Sequence, residues 1–272
     1  MKTGKRHFSI GDFFRTLVLI VALCVFTYSA YRVTKIMLEY NEGDTEYANI
    51  ESMFIMNQPD ETDKQGKTKK TAVKEDEQDK KWVFDFDKLL AINQDAKGYI
   101  RQDGTLISYP VLQGTNNSYY LYHTFDHTYN RNGSIFIDSQ IEKGFDAKNC
   151  IIYGHNMWTD TMFGTLTKYT DQAYYKAHPE FDIYAGKKHY KYHVFASFQA
   201  DASGDSVYTY EFGDEDTFLK WAQEQRSRSY LGTSDVREIK KDDHVITLST
   251  CTTRGDENKR VIVLLVREKE VK

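Results

Sequence analysis

The sequence predicts a mostly β fold behind an N-terminal membrane anchor, and three observations carry that expectation. The chain of 272 residues holds 20 tyrosines and 16 phenylalanines against three prolines, a composition that favours pleated, half-buried surfaces. Short apolar runs recur along its C-terminal two thirds, separated by turn residues. Before them lies an uncharged apolar stretch that follows a basic N-terminus.

The N-terminal segment comes first in the chain. "MKTGKRHFSIGDFFR" carries Lys2, Lys5, Arg6 and Arg15, and "TLVLIVALCVFTYSAY" then runs sixteen residues without a charge. A spanning helix wants roughly 20 residues. The flanking Phe13 and Phe14 extend the run, and Arg15 and Arg32 can snorkel to the interfaces. Residues 16–31 therefore read as a signal-anchor, with residues 1–15 as a basic cytoplasmic segment and the remainder outside. The competing reading is a signal peptide cleaved after Ser29 or Ala30. Bulky Tyr28 disfavours the second site, and the apolar pattern continues past it.

Residues 32–81 read as an extracellular stalk. Val33, Ile36, Met37 and Tyr40 fall at helical spacing. Asn57 to Lys81 has almost no apolar residue and alternating charges, as expected of a solvated linker or of an exposed charged helix. The folded domain is expected over residues 82–272. "FDFDKLLAINQDAKGYI" predicts a short helix followed by strand. "YIRQDGTLISYPVLQG" predicts a hairpin turning at Asp103-Gly104. Further strands are expected in "GSIFID", "NCIIYGHN", "FDIYAG", "KHYKYHVFASFQA", "DHVITLSTC" and "RVIVLLVRE". So many short strands with turn signals predict a mostly antiparallel barrel or sandwich. One helix interrupts them over Asp214 to Ser227, with Asp214 or Asp216 as cap and Phe218, Trp221 and Ala222 as buried stripe.

Composition also excludes functions. The formal net charge is −4 with interspersed signs, so no nucleic-acid partner is expected. Phosphate-binding glycine loops and dinucleotide fingerprints are absent. The three cysteines, Cys24, Cys150 and Cys251, build no disulfide framework, although residue count alone leaves a Cys150–Cys251 bridge open. No metal set emerges from the eight histidines. His189 and His193 share a strand face without a third ligand, and His123 and His127 fail the same test. No cofactor is expected.

Cys251 differs from the other cysteines. It ends the strand "VITLSTC", on the face shared with Thr247 and Ser249 and opposite to Ile246 and Leu248. A thiol there is expected at the mouth of a hydroxyl-lined groove. Its reference pKa near 8.5 leaves it mostly protonated at neutral pH, so reactivity needs a cationic neighbour or a base. Arg260 opens the next strand after an eight-residue loop, and an antiparallel return brings it level with Cys251. Its fixed charge and several donors suit a developing oxyanion. Arg254, within the loop beside Gly255, competes for that role, and a charged strand edge explains Arg260 equally well from spacing alone. His155 ends the run "CIIYGHNM" at a strand mouth, where an imidazole serves as general acid/base; Asn156 beside it offers a hydrogen-bonding side chain. Cys150 is expected to be a buried strand residue.

"TLSTC" followed by an arginine at a strand start, with "YGHNM" upstream, closely resembles the sortases, membrane-anchored cysteine transpeptidases of Gram-positive bacteria. The resemblance runs from about Phe84 to Val266 and includes "GYIRQDGTLISYPVLQGTNNSYYL", "GSIFID" and "KRVIVLLV". The N-terminal helical extension, "YPVLQGTNNSYYL" and the helix before the cysteine strand are similar to class B. The resemblance implies an eight-stranded β-barrel with short helices. It also implies Cys251 as nucleophile, His155 as general acid/base and Arg260 as oxyanion or substrate-positioning group. Asn117, Leu121 and Ser249 match positions lining the substrate groove. The implied partners are a surface protein bearing a C-terminal sorting motif, cleaved after threonine, and a peptidoglycan precursor amine. Three alternatives share the sequence features: a pilus-polymerising sortase, a sortase-fold hydrolase releasing to water, and a tethered binding module with no chemistry.

Overall fold

A closed barrel of eight strands forms the centre of the computed structural model, which describes residues 10–57, 80–252 and 258–271. The helix α1 (Ile10–Ser52) precedes it. Two short strands, β1 (Ile55–Asn57) and β2 (Lys80–Trp82), pair as an antiparallel ribbon, and α2 (Phe86–Ile92) follows. Of the predicted charged linker, residues 58–79 lie outside the described residues.

The barrel strands are β3 (Ala96–Arg101), β4 (Ser108–Leu112), β5 (Ile135–Ile137), β6 (Asn149–Tyr153), β7 (Glu180–Ala185), β8 (Lys188–Asp201), β9 (Val245–Cys251) and β10 (Lys259–Val271). They close in the order β10-β8-β7-β3-β4-β5-β6-β9. Closure leaves no free edge among these strands. Every predicted strand is present, and β3 and β4 form the expected hairpin around Asp103-Gly104. The expectation of a mostly antiparallel sheet holds for six of the eight neighbouring pairs. The exceptions are β4 with β5 and β6 with β9, which run parallel. Parallel neighbours require long crossover connections. Here these are residues 113–134 and the stretch from residue 154 to 244, and both crossovers bring loops to one barrel mouth.

Helix α4 (Glu215–Ser227) starts on Asp214, whose carboxylate accepts from Thr217 N at 2.7 Å. Phe218, Trp221 and Ala222 are buried as the spacing predicts. Helix α3 (Gln172–Ala177) has no comparable sequence signal; it is two turns long and capped by Asp171. The core is aromatic and branched, with Tyr99, Tyr120, Phe136, Phe163, Phe181, Tyr192 and Phe195 among its largest fully buried side chains.

The chain divides into residues 1–42 and a compact unit that begins at Gly43. In the first unit, α1 is long and apolar enough to cross a membrane. Leu17, Val18, Leu19, Ile20, Val21, Leu23 and Phe26 lie exposed along it. The compact unit takes in the last turns of α1, upstream of the expected start near residue 82. Tyr47, Ile50 and Phe54 are buried there, and Gly43 permits close approach, because a Cβ on it would lie 2.6 Å from Asn132 Nδ2. Phe54 packs its ring 5.2 Å from Phe84 and 5.6 Å from Tyr99. Phe54→Ala is therefore expected to destabilise the unit by about 3–5 kcal/mol, the usual cost of emptying an aromatic site. Chemical unfolding of the full chain in mild detergent, followed by tryptophan fluorescence, measures this loss.

Candidate active site

Strand register brings three predicted residues to one mouth of the barrel. In the antiparallel β9–β10 ladder, Arg260 pairs directly with Cys251. In the parallel β6–β9 ladder, Tyr153 pairs with Ser249, so His155, two residues on, comes level with Cys251. Two hydrogen bonds carry that alignment past the strand ends. Gly154 N donates to Ser249 O at 3.3 Å, and Asn156 Nδ2 donates to Cys251 O at 2.8 Å. The side chain next to His155 thus grips the backbone of the cysteine. Cys251 is half-buried, and all three cysteines are free of disulfides, which closes the option of a Cys150–Cys251 bridge in this fold. Cys150 is fully buried in β6, and burial pushes its thiol far above the ordinary range. Arg254 lies outside the described residues.

His155 is held in one tautomer. Its Nε2 lies 2.7 Å from the carbonyl oxygen of Leu121. A carbonyl only accepts, so Nε2 carries the hydrogen, and in the neutral ring Nδ1 carries the lone pair. Burial depresses the imidazole below its ordinary value, the bond to Leu121 works in the opposite direction, and the charge of Arg260 depresses it further. The neutral form therefore prevails at neutral pH. Tyr122 tilts over one side, with ring centroids 6.3 Å apart. Arg260 is half-buried, and its Nη1 donates to Lys259 O at 3.1 Å.

The remaining predicted groove residues have defined partners. Ser249 is buried, and its hydroxyl pairs with Tyr208 Oη at 3.0 Å. Thr247 is buried too and donates to Asn149 Oδ1 at 2.7 Å. The face of β9 expected to be an open groove is therefore open only at Cys251, because residues 206–210, in the β8–α4 connection, cover the rest. Burial pushes the Tyr208 phenol upward and the charge of Arg260 pulls it back, so Tyr208 borders the same mouth. Asn117 donates to Asp138 Oδ2 at 2.9 Å and accepts from Ser139 N at 2.8 Å. Asp138 is fully buried and also accepts from Tyr153 Oη at 2.9 Å and Tyr210 Oη at 3.3 Å. Leu121 is half-buried at the end of a short 3₁₀ turn, Tyr119–Leu121.

Sequence reasoning missed Tyr208, Asp138 and the Leu121 carbonyl. Asp138 carried a faint signal as the charged residue ending "GSIFID". Tyr208 carried none, and a backbone carbonyl leaves no mark in residue type. Among the described residues, no three His, Cys, Asp or Glu side chains converge as a metal-binding set.

A closed barrel with a thiol, an imidazole and a guanidinium at one mouth has the make-up of a thiol-dependent acyl-transfer enzyme. A sortase-domain family model matches residues 100–268. Sortase B of Listeria monocytogenes is 38% identical over 176 residues, covering 65% of this chain and 70% of that protein. The structure of a Staphylococcus aureus sortase B–substrate complex aligns with a TM-score of 0.62 at 32% identity, covering 68% of this chain and 84% of that one. A sortase B structure complexed with triglycine aligns with a TM-score of 0.62 at 32% identity, covering 68% and 85%. The chain belongs to the sortase family and is class B-like, a cysteine transpeptidase.

The charge of Arg260 on His155 makes a measurable prediction. Arg260→Gln removes a neighbouring positive charge, so the His155 titration midpoint is expected to rise toward the ordinary imidazole value of about 6.5. NMR titration of the imidazole checks it, and an unmoved midpoint would contradict the electrostatic contact.

Proposed function

We propose that Cys251 is the nucleophile, His155 the general acid/base and Arg260 the oxyanion-stabilising group of a transpeptidase that ties surface proteins to the cell wall. The observation that carries this reading is the register of β9 between β6 and β10, with Arg260 opposite Cys251 and His155 level with it. The imidazole Nδ1, left as acceptor by the Leu121 bond, takes the thiol proton. The thiolate attacks the carbonyl carbon of the threonine in a C-terminal sorting motif, and the oxyanion that forms is met by the Arg260 guanidinium. Collapse breaks the scissile C–N bond, His155 gives its proton to the departing amine, and a thioester remains on Cys251. Burial and Arg260 both make the imidazolium a willing donor. An acceptor amine then attacks the thioester, its proton passes to His155, and Cys251 leaves as the thiolate.

An amine acceptor is supported by the sortase B relative solved with triglycine, and a peptide donor by the relative solved with substrate. For this chain the acceptor is an amine of a peptidoglycan precursor. Leu121, half-exposed beside His155, is assigned to the groove wall. Ser249 acts on the groove through Tyr208, and Asn117 acts by fixing the loop to Asp138. The apolar part of α1 is the membrane anchor. Lys2, Lys5, Arg6 and Arg15 keep the N-terminus inside, so the barrel works on the outer face. Residues 32–42 then connect that anchor to the barrel unit, which begins at Gly43.

Full-length enzyme in detergent, given a panel of sorting-type peptides, tests the reading by product analysis with and without added triglycine. Wild type is expected to cleave after threonine and to divert product to the glycine adduct. Cys251→Ala and His155→Ala are each expected to lose roughly a thousandfold or more in kcat/KM. Undiminished cleavage by Cys251→Ala would remove the proposal, and a product that stays hydrolytic at high amine would remove its transfer step.

A further inference from the structure

The carbonyl that fixes His155 belongs to a loop that is itself held from outside the barrel. Leu121 ends the 3₁₀ turn, and residues 122–134 return beside it. Ser134 N donates to Tyr120 O at 2.9 Å, and Asn130 N donates to Tyr122 O at 2.9 Å. Gly133, with φ +56, packs so tightly here that a Cβ would lie 2.6 Å from the carbonyl oxygens of both Tyr120 and Leu121. The position of the Leu121 carbonyl is thus set by where Gly133 and Ser134 sit.

Those two residues are held by α1. Tyr47, buried in its last turns, donates from Oη to Gly133 O at 2.6 Å. The same oxygen lies 3.0 Å from Ser134 Oγ, which in turn donates to His123 O at 2.8 Å. Neighbouring side chains reinforce the grip: Glu46 accepts from Asp126 N at 3.0 Å, and Asp44 accepts from Asn132 Nδ2 at 3.1 Å. The Tyr47 ring makes a separate contact with the other side of the site. It packs edge-on against Tyr109 at 5.1 Å, and Tyr109 Oη accepts from Met162 N at 2.8 Å. Met162 bridges to Asn156, the residue whose amide holds the Cys251 carbonyl.

We infer that Tyr47 is a positioning residue for the reaction: through Gly133 and Ser134 it fixes the Leu121 carbonyl against which the catalytic imidazole is aligned. This rests on the reading of His155 as the acid–base group. It makes the C-terminal end of α1 part of the machinery for transfer, where a plain stalk would only carry the barrel. A hydroxyl seated against the Gly133 carbonyl and the Ser134 hydroxyl is suited to this, since its loss leaves Gly133 O without that donor while the ring still fills its space.

Tyr47→Phe in the full-length chain, in detergent micelles, tests the inference, with Ile50→Ala as a control that empties a buried site on the same helix and keeps the Tyr47 hydroxyl. Both are assayed well below their unfolding temperatures. Tyr47→Phe is expected to lower kcat by roughly tenfold or more, as small misplacements of catalytic groups do, with KM moving far less. In 15N-histidine spectra, the His155 signal is identified by its loss in His155→Ala. That signal is expected to change from a single Nε2–H tautomer to a mixture. Unchanged kcat and tautomer in Tyr47→Phe would overturn the inference, whatever the loss of stability. The same kcat and tautomer changes in Ile50→Ala would overturn it too, by assigning the effect to general loosening. The His155→Ala assay keeps the readings apart: retained activity would remove His155 from the chemistry, while the Tyr47→Phe spectra would still decide whether Tyr47 sets its tautomer.

Discussion

The site depends on the pairing of β9 with two neighbours of opposite sense, parallel β6 on one side and antiparallel β10 on the other. Side chains alternate across a strand, so a slip of one residue would send Cys251 to the opposite face and bring Thr250 to the mouth. The register is secured by burial: Ile246 and Leu248 are fully buried, as are Ile151 and Ile152 on β6 and Ile262 to Val266 on β10. Exposing any of these branched side chains would cost about 1.5–3 kcal/mol, so the barrel core fixes a geometry that the catalytic groups alone could not enforce. Ordinary apolar packing sets the position of the thiol.

Polar contacts then refine what packing places. Asn156 extends the β6–β9 alignment beyond the last ladder bond, Tyr208 closes Ser249 off from solvent, and the buried Asp138 gathers Asn117, Tyr153 and Tyr210. Asp138 ties together three segments that border the mouth, and each hydrogen bond to a buried carboxylate is of the stronger, charge-assisted type. The imidazole is governed by burial, one backbone acceptor and one cation. Burial and the cation favour the neutral ring, and the backbone acceptor, which pulls the other way, defines which nitrogen keeps the lone pair.

The fold class was legible because β structure writes a short-period pattern: "DHVITLSTC" and "RVIVLLVRE" alternate or run apolar as buried strands do, and Asp214 marks the start of α4. The strand-end positions of Cys251, His155 and Arg260 were legible for the same reason, since each sits where an apolar run meets polar residues, whereas their roles were implied only by the family resemblance. Parallel pairing was not, because it is decided by crossovers far apart in the chain. Thr247 and Ser249 read as groove residues from alternation alone, and only the fold shows residues 206–210 lying over them. Gly43 and Asn132 gave no sign that α1 docks on the loop after Leu121, since a close approach has no local period. The acceptor for His155 is a backbone carbonyl, identical in every residue.

The role proposed for Cys251 is to accept the acyl group of the substrate as a thioester. Intact-mass analysis of the full-length enzyme, quenched in acid during turnover of a cleaved sorting-type peptide, tests it most directly. If Cys251 has that role, a species heavier by the acyl portion ending in threonine accumulates, maps by fragmentation to Cys251 and is discharged by added triglycine. An acyl group mapped to another residue, or turnover with no covalent species under conditions that slow deacylation, would contradict it.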